Sequence, residues 1–406
     1  MKINKTILAA ALCLGVVGSS FASDVYISGS TACRGNAFLA LTVAGPTNVF
    51  STITNITTWG SGTPKKGNYM NIHGILNGNS GYTVVHCSWS GSEAGIANAA
   101  DNFTTFPEAQ FSTDADDGTT HSANPTTTAA HLTDVAFGDN AQSYSRSLTP
   151  VMQSTNVCVI AFKWLRNNGW WTGTNVTVSQ LQAAFGGSCK TAVFSGNAAD
   201  TNTYVYISGR DNGSGTRVNA FGTSGFGIFN VPAQIEMDTN GLMVQAGDGG
   251  YAEDWGYSSG GYLSGTLATV TTNKTDYVNY YDNLGTFIPN TAGYTTLGYL
   301  GYDDAQTGLT ATTNAAVELS LNGIPFSASN IQEGLYTYWG NEYIFKTSNS
   351  GETDTDIPKV YNLLASTIPL TCYPHTFAGT AGTLNGIDKS FMHCTRSGPL
   401  SAPGHN

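Results

Sequence analysis

The chain has 406 residues, a formal net charge of −11 at pH 7, and 11% charged against 40% hydrophobic residues. That is enough apolar side chain for two or three folded cores, which argues against disorder. Clustered lysine and arginine are lacking, which argues against nucleic acid and anionic lipid as partners; an anionic ligand is still allowed, because a buried site can hold one with backbone N–H groups and a single arginine.

Lys2, Lys5, the apolar residues 6–17 and the small residues around Ser20-Phe21-Ala22 predict an export signal over residues 1–22, a signal peptide cleaved after Ala22. The apolar run is too short for a membrane span, and no later stretch reaches about 18 apolar residues, so no membrane insertion is expected. Bulky Leu12 ahead of Cys13 argues against a lipid anchor. The expected address is periplasmic or extracellular. There the six later cysteines, Cys33, Cys87, Cys158, Cys189, Cys372 and Cys394, read as up to three disulfides. Pairing between sequence neighbours is expected, Cys33–Cys87, Cys158–Cys189 and Cys372–Cys394. The lack of any C-x-x-C spacing argues against a metal site.

Val25-Tyr26-Ile27 is β-rich and leads through Ser28-Gly29-Ser30-Thr31 into a helix-compatible segment at 36–41. Residues 82–85 lead in the same way through Ser90-Gly91-Ser92 into 93–100. Residues 104–130, rich in Thr, Asp, Ser and Pro, read as a surface loop. An apolar stretch at 156–165, compatible with helix or strand, opens a second lobe. Residues 178–185 have helical spacing and stop at Gly186-Gly187. Residues 204–207 then lead through 209–216 into 217–221, a third strand, turn and helix. Val25-Tyr26-Ile27-Ser28-Gly29 recurs there as Val205-Tyr206-Ile207-Ser208-Gly209, which fits two similar lobes facing one cleft. Residues 247–265 are rich in glycine and carry Tyr251, Trp255, Tyr257 and Tyr262. Beyond residue 379 Gly, Ser and Pro rise again, with a frayed end expected. Strand, tight turn, helix is the unit of an α/β sheet, and each such turn offers free N–H groups where the helix dipole favours negative charge.

Arg210-Asp211-Asn212-Gly213-Ser214-Gly215-Thr216 is the strongest chemical signal. An arginine ahead of Gly-Ser-Gly-Thr at a helix start supplies a guanidinium fork, two hydroxyls and several N–H donors, and glycine permits close backbone approach. Ser30-Thr31 and Ser92 bring hydroxyls to two further helix starts, where ordinary N-capping is the rival account.

Together the three turns resemble the periplasmic phosphate-binding proteins of ABC importers, which have the type II periplasmic-binding-protein fold. Thr31 matches that family's first loop, Ser92 its second, and Arg210, Ser214, Gly215 and Thr216 its third. Asp139, closing Val135-Ala136-Phe137-Gly138-Asp139, matches its aspartate. The likeness continues at 176–187, 296–302 and 334–345. It implies an α/β, two-lobed fold with the ligand cleft between lobes, lobe I from 23–152 plus 325–406 and lobe II from 153–324. It implies an exported, monomeric solute-binding protein, not an enzyme, that captures inorganic phosphate or a similar tetrahedral oxyanion for an ABC permease. Ser30, Thr31, Ser92, Asp139, Arg210, Ser214, Gly215 and Thr216 would surround the ligand, with no cofactor and no metal. Asp139 would act as a filter, since phosphate at pH 7 keeps a proton to donate to a carboxylate and sulfate has none. The chain departs from the family at Asn212, where an aspartate normally steadies the arginine, leaving Arg210 less rigidly held. It departs again at Ala32, Cys33 and Arg34, with Arg34 either a second cation at the site or an outward side chain.

Enzyme signatures are weak. Gly256-Tyr257-Ser258-Ser259-Gly260 matches G-x-S-x-G but sits in glycine-rich sequence with neither the strand nor the helix that a nucleophile elbow needs. The seven histidines show no ligand spacing, and Asp114-Ala115-Asp116-Asp117-Gly118 breaks the calcium-loop register. The alternative reading is a surface or adhesion protein that uses the same fold for a glycan, with the aromatics of 247–265 stacking on sugar.

Overall fold

The computed structural model describes residues 23–187, 189–237, 243–245, 256–269, 280–281, 287–288, 294–347, 355–396, 398 and 401–405. The predicted export signal and Tyr251 and Trp255 lie outside the described residues.

The elements that place the site are, in chain order, β1 (Ser23–Gly29), α1 (Arg34–Thr42), β2 (Phe50–Trp59), β3 (Tyr69–Leu76), β4 (Tyr82–Ser88), α2 (Ser92–Ala99), β5 (Val135–Gly138) and β6 (Gln153–Arg166). They continue with α3 (Val178–Phe185), β7 (Tyr204–Ile207), α4 (Gly215–Ser224), α5 (Gly260–Thr269), β8 (Tyr294–Gly301), α6 (Tyr302–Leu309), β9 (Val317–Leu321), β10 (Trp339–Lys346) and α7 (Asp356–Thr367). One sheet runs β3-β4-β1-β5-β10-β6, with β1 parallel to both β4 and β5 and with β10 antiparallel to β5 and β6. Residues 153–161 of β6 pair with β10, and residues 162–166 pair with β8, which runs parallel to β7. β9 takes the other edge of that far end. A single strand of 14 residues is therefore shared by two half-sheets. Parallel strands feeding helices, with a late strand inserted antiparallel in the middle, make this an α/β fold of two lobes in the type II arrangement.

Local sequence explains the elements. β6 is buried along residues 157–166, and the apolar run from Val157 to Phe162, followed by Trp164 and Leu165, suits a strand covered on both faces. All eight residues of α2 are buried. Its small side chains let it lie on β1, where a Cβ added to Gly95 would stand 2.5 Å from the Gly29 Cα. α3 opens with a capping box in which Thr177 Oγ1 accepts from the Gln180 N–H at 3.2 Å and Gln180 accepts from the Thr177 N–H at 2.8 Å. It ends at Gly186, as the sequence predicts.

Four expectations need correction. Residues 104–130 contain an antiparallel pair, Gln110–Ser112 with Thr128–Ala130, and Thr120–His121 adds to the end of β2. Threonine is polar yet β-branched, so polarity there marks exposure without removing extended structure. The chain end is likewise paired, Pro403–His405 against Cys394–Arg396. A helix, α5, does follow the G-x-S-x-G match directly. The cysteines do not pair as sequence neighbours. All six are free and buried, and the Cys158 thiol lies against those of Cys33 and Cys372, because β6 passes between the start of α1 and the segment after α7. Among the described residues no helix is long and apolar enough to cross a membrane.

Candidate oxyanion site

Three loops and one strand end converge on Asp139. Ser30 follows β1, and its Oγ accepts from the N–H groups of Ala32 and Cys33 at 3.1 Å each, which organises the entry to α1. The same hydroxyl donates to Asp139 Oδ1. Thr31 is its buried neighbour, 7% exposed. Ser92 begins α2, and its Oγ accepts from the Asp139 N–H at 3.1 Å. From the other lobe, Thr216 in the first turn of α4 donates through Oγ1 to Asp139 Oδ2 at 3.2 Å. Asn219, one turn further along, donates to the Asp139 carbonyl at 2.9 Å. Asp139, Ser92, Thr216 and Arg210 are each at most 2% exposed.

The lobes touch where these loops meet. The Glu93 N–H donates to the Gly213 carbonyl at 2.9 Å. Gly215 is required by closeness, since a Cβ there would stand 2.4 Å from Ser92 Oγ. Gly91 has φ +99°, and a Cβ on it would stand 2.4 Å from the Gly213 carbonyl oxygen. Ser214 points its hydroxyl at its own helix, accepting from the Arg217 N–H at 3.3 Å, so it caps α4.

Arg210 is held differently from the expectation drawn from Asn212. Its Nε donates to the Tyr257 carbonyl at 2.9 Å and its Nη2 to the Ser258 carbonyl at 2.8 Å. Its backbone N–H donates to the Tyr299 hydroxyl at 3.0 Å. Two carbonyls thus steady the guanidinium without neutralising it. Tyr338 lies behind the site, with its hydroxyl donating to the Thr216 carbonyl at 3.2 Å. Burial pushes that phenol well above the ordinary tyrosine range; Asp139 pushes it further and Arg210 opposes. Arg34 is neither a site cation nor outward. It is buried and bridges the lobes, from α1 to Asp304 of α6 at 3.5 Å, with Asn68 as a second partner at 3.1 Å.

Sequence reasoning missed Glu342, on β10. It is fully buried, lies beside Asp139 and Ser30, and has neither carboxyl oxygen in a hydrogen bond of normal geometry. It also missed Glu93, whose buried carboxyl accepts from Asn140 Nδ2 at 2.8 Å and the Arg146 N–H at 2.9 Å. The only signal for Glu342 was a lone acidic residue in an apolar strand. Beside the turn at 211–213 a cavity of about 400 Å³ is lined by Trp89, Phe106, Asn98, Gln110, Asn212 and Tyr262 among others. Among the described residues no cluster of three or more His, Cys, Asp or Glu could hold a metal ion.

Chemically, this is a buried concentration of hydroxyls and helix-start N–H groups around a carboxylate, with the buried Arg210 guanidinium near enough to act, like Asp139, on the Tyr338 phenol. An α/β protein whose two lobes meet at such donors has the parts of an anion receptor. No family model matches the chain, and neither does any curated protein. Among solved structures the chain is similar to an ABC-type phosphate transport receptor from Vibrio cholerae, at 12% identity over 84% of this chain and 98% of that one, with a TM-score of 0.41. It is similar also to a DING protein, at 11% identity over 93% and 96% with a TM-score of 0.42. A third is PstS from Borrelia burgdorferi, at 13% identity over 84% and 92% with a TM-score of 0.36. These are likenesses of fold only, and the site stands on its own geometry.

Proposed function

We propose that the chain is an exported solute-binding protein that captures phosphate, or a tetrahedral oxyanion like it, between lobe I (23–152 and 325–406) and lobe II (153–324) and presents it to an ABC permease. The observation that carries this reading is the contact across the lobes: Ser30 on one side and Thr216 on the other both donate to Asp139. A ligand seated there would be held by Thr31, Ser92, Thr216, the opening N–H groups of α4 and the Arg210 guanidinium, while Asp139 accepts the ligand's proton. Charge-assisted hydrogen bonds contribute about 1.5–3 kcal/mol each. Several of them supply the ~8 kcal/mol of micromolar binding after the cost of association. Closing about β6 would bury the ion, and no step makes or breaks a covalent bond. The chain therefore acts as a receptor, not as an enzyme, with no cofactor.

The test is calorimetry on the mature chain. Saturable phosphate binding lost in Arg210→Ala is the expected result; no binding by the wild-type chain would refute the proposal. A glycan reading has one observation in its favour, the cavity with Trp89, Phe106 and Tyr262 among amide side chains. Titration with short glycans in the same experiment decides it: heat from glycan without heat from phosphate would favour that reading.

A further inference from the structure

Glu342 is buried beside Asp139 and Ser30. It is 0% exposed, and both carboxyl oxygens lack a hydrogen bond of normal geometry. An unpaired carboxylate in such a place is very costly, and two carboxylates sharing one site do not both ionise. The groups facing it come from every element packed around it. Asp139 comes from the end of β5 and Ser30 from the loop after β1. Cys33 comes from the start of α1, Cys158 from the opposing register position of β6, and Cys372 from the segment after α7. None of these is a cation. The thiols are neutral, since burial pushes Cys33 up to about 12 and contact with other thiols pushes Cys158 and Cys372 well above their usual range.

We propose that Glu342 is a positioning residue for the anion site: it stays protonated at neutral pH and shares that proton with Asp139, so that the pair presents one negative charge to the ligand and not two. The inference rests on the oxyanion reading for its consequence, though not for its chemistry. A neutral Glu342 can donate to Asp139, keeping that carboxylate ionised and aimed, and so able to accept a proton from the ligand. Burial and the Asp139 charge, in that order, raise the Glu342 carboxyl well above the glutamate range, in the direction the geometry requires. Loss of the shared proton at alkaline pH would add a second negative charge beneath the anion and expel it.

Infrared spectroscopy of the unliganded protein tests the proton directly. A protonated-carboxyl band at neutral pH is expected in the wild type; the component lost in Glu342→Gln is that of Glu342, any remainder belonging to other buried carboxyls such as Glu93, and that component should titrate at lower pH in Asp139→Asn. No such band in the wild type, or an unchanged band in Glu342→Gln, overturns the proposal, and a wild-type spectrum without the band does so even if the variants fold poorly. Anion affinity against pH is the functional readout. The wild type should lose up to about tenfold per pH unit once the pair ionises, while Glu342→Gln, neutral throughout, should not show that fall. Parallel profiles for the two proteins would contradict it. Absence of phosphate binding with the band present counts against the oxyanion reading alone, whereas absence of the band with phosphate bound counts against Glu342 alone.

Discussion

Asp139 gathers partners from three stretches of chain: Ser30, and Thr216 with Asn219 on α4, donate to its oxygens, and its own N–H goes to Ser92. If it also takes the proton of the ligand, charge is its only means of discrimination. Asp139→Asn can donate to sulfate, so competition calorimetry should show the phosphate-to-sulfate preference falling by about tenfold or more. An unchanged ratio would remove Asp139 from the filter role. The helix starts at Ser92 and Thr216 were legible in the sequence because small polar residues there announce themselves by type and spacing, whereas Asp139, at the end of β5, was singled out only by the resemblance to a family motif. Arg34 was not legible, since an arginine five residues past a strand serves equally as ligand, surface group or lobe bridge until Asp304 is seen beside it. Glu342 was hidden for a related reason: a strand's pattern gives the face on which a residue lies but not what faces it from β5 and β1.

At the scale of elements, the site depends on helix starts that approach one another more closely than side chains allow. α4 begins against α2, and Gly215 alone makes room for Ser92. Its φ is not in the left-handed region, so crowding and not backbone conformation is what demands glycine at this first helical position. Gly215→Ala should therefore lower the melting temperature and weaken phosphate binding by about tenfold or more, because the added methyl meets Ser92 and Asn140 and holds the lobes apart. Wild-type affinity in that variant would mean that the lobes need not close to this distance. α3 was readable to its last residue, since a capping box and a terminal glycine are local signals. The strands within 104–130 were not, because threonine and aspartate mark exposed turns and exposed edges alike; there Asp114 accepts hydrogen bonds from Thr126 and Thr127 and holds the pair together.

For the molecule as a whole, one strand joins the lobes and buried acids sit where the lobes meet. Three raised carboxyls among the described residues, Glu342, Glu93 and Asp303, set the pH response. Glu342 and Glu93 are both lifted above the glutamate range, with burial the largest cause in each. A carboxyl whose folded value is raised binds its proton more tightly when folded, so its contribution is full below the unfolded value. That contribution is lost as pH rises toward the folded value. His86 works in the opposite sense at lower pH, since burial depresses it and its contribution is lost as pH falls. Melting temperature should thus decline from mildly acidic toward alkaline pH, and more steeply in the wild type than in Glu342→Gln. A flat or rising profile would contradict the assignment. The two-lobed α/β fold was legible in the sequence from the recurrence of strand, turn and helix and from the echo of residues 25–29 at 205–209. The sharing of β6 was not, because a continuous apolar run does not say which strands will flank each half.

A crystal structure of the mature chain grown with phosphate tests the central claim most directly. A tetrahedral anion enclosed by Thr31, Ser92, Asp139, Arg210 and the first turn of α4 is the result expected. An anion bound on another surface, or a cleft that excludes phosphate while Ser30 and Thr216 remain on Asp139, would contradict it.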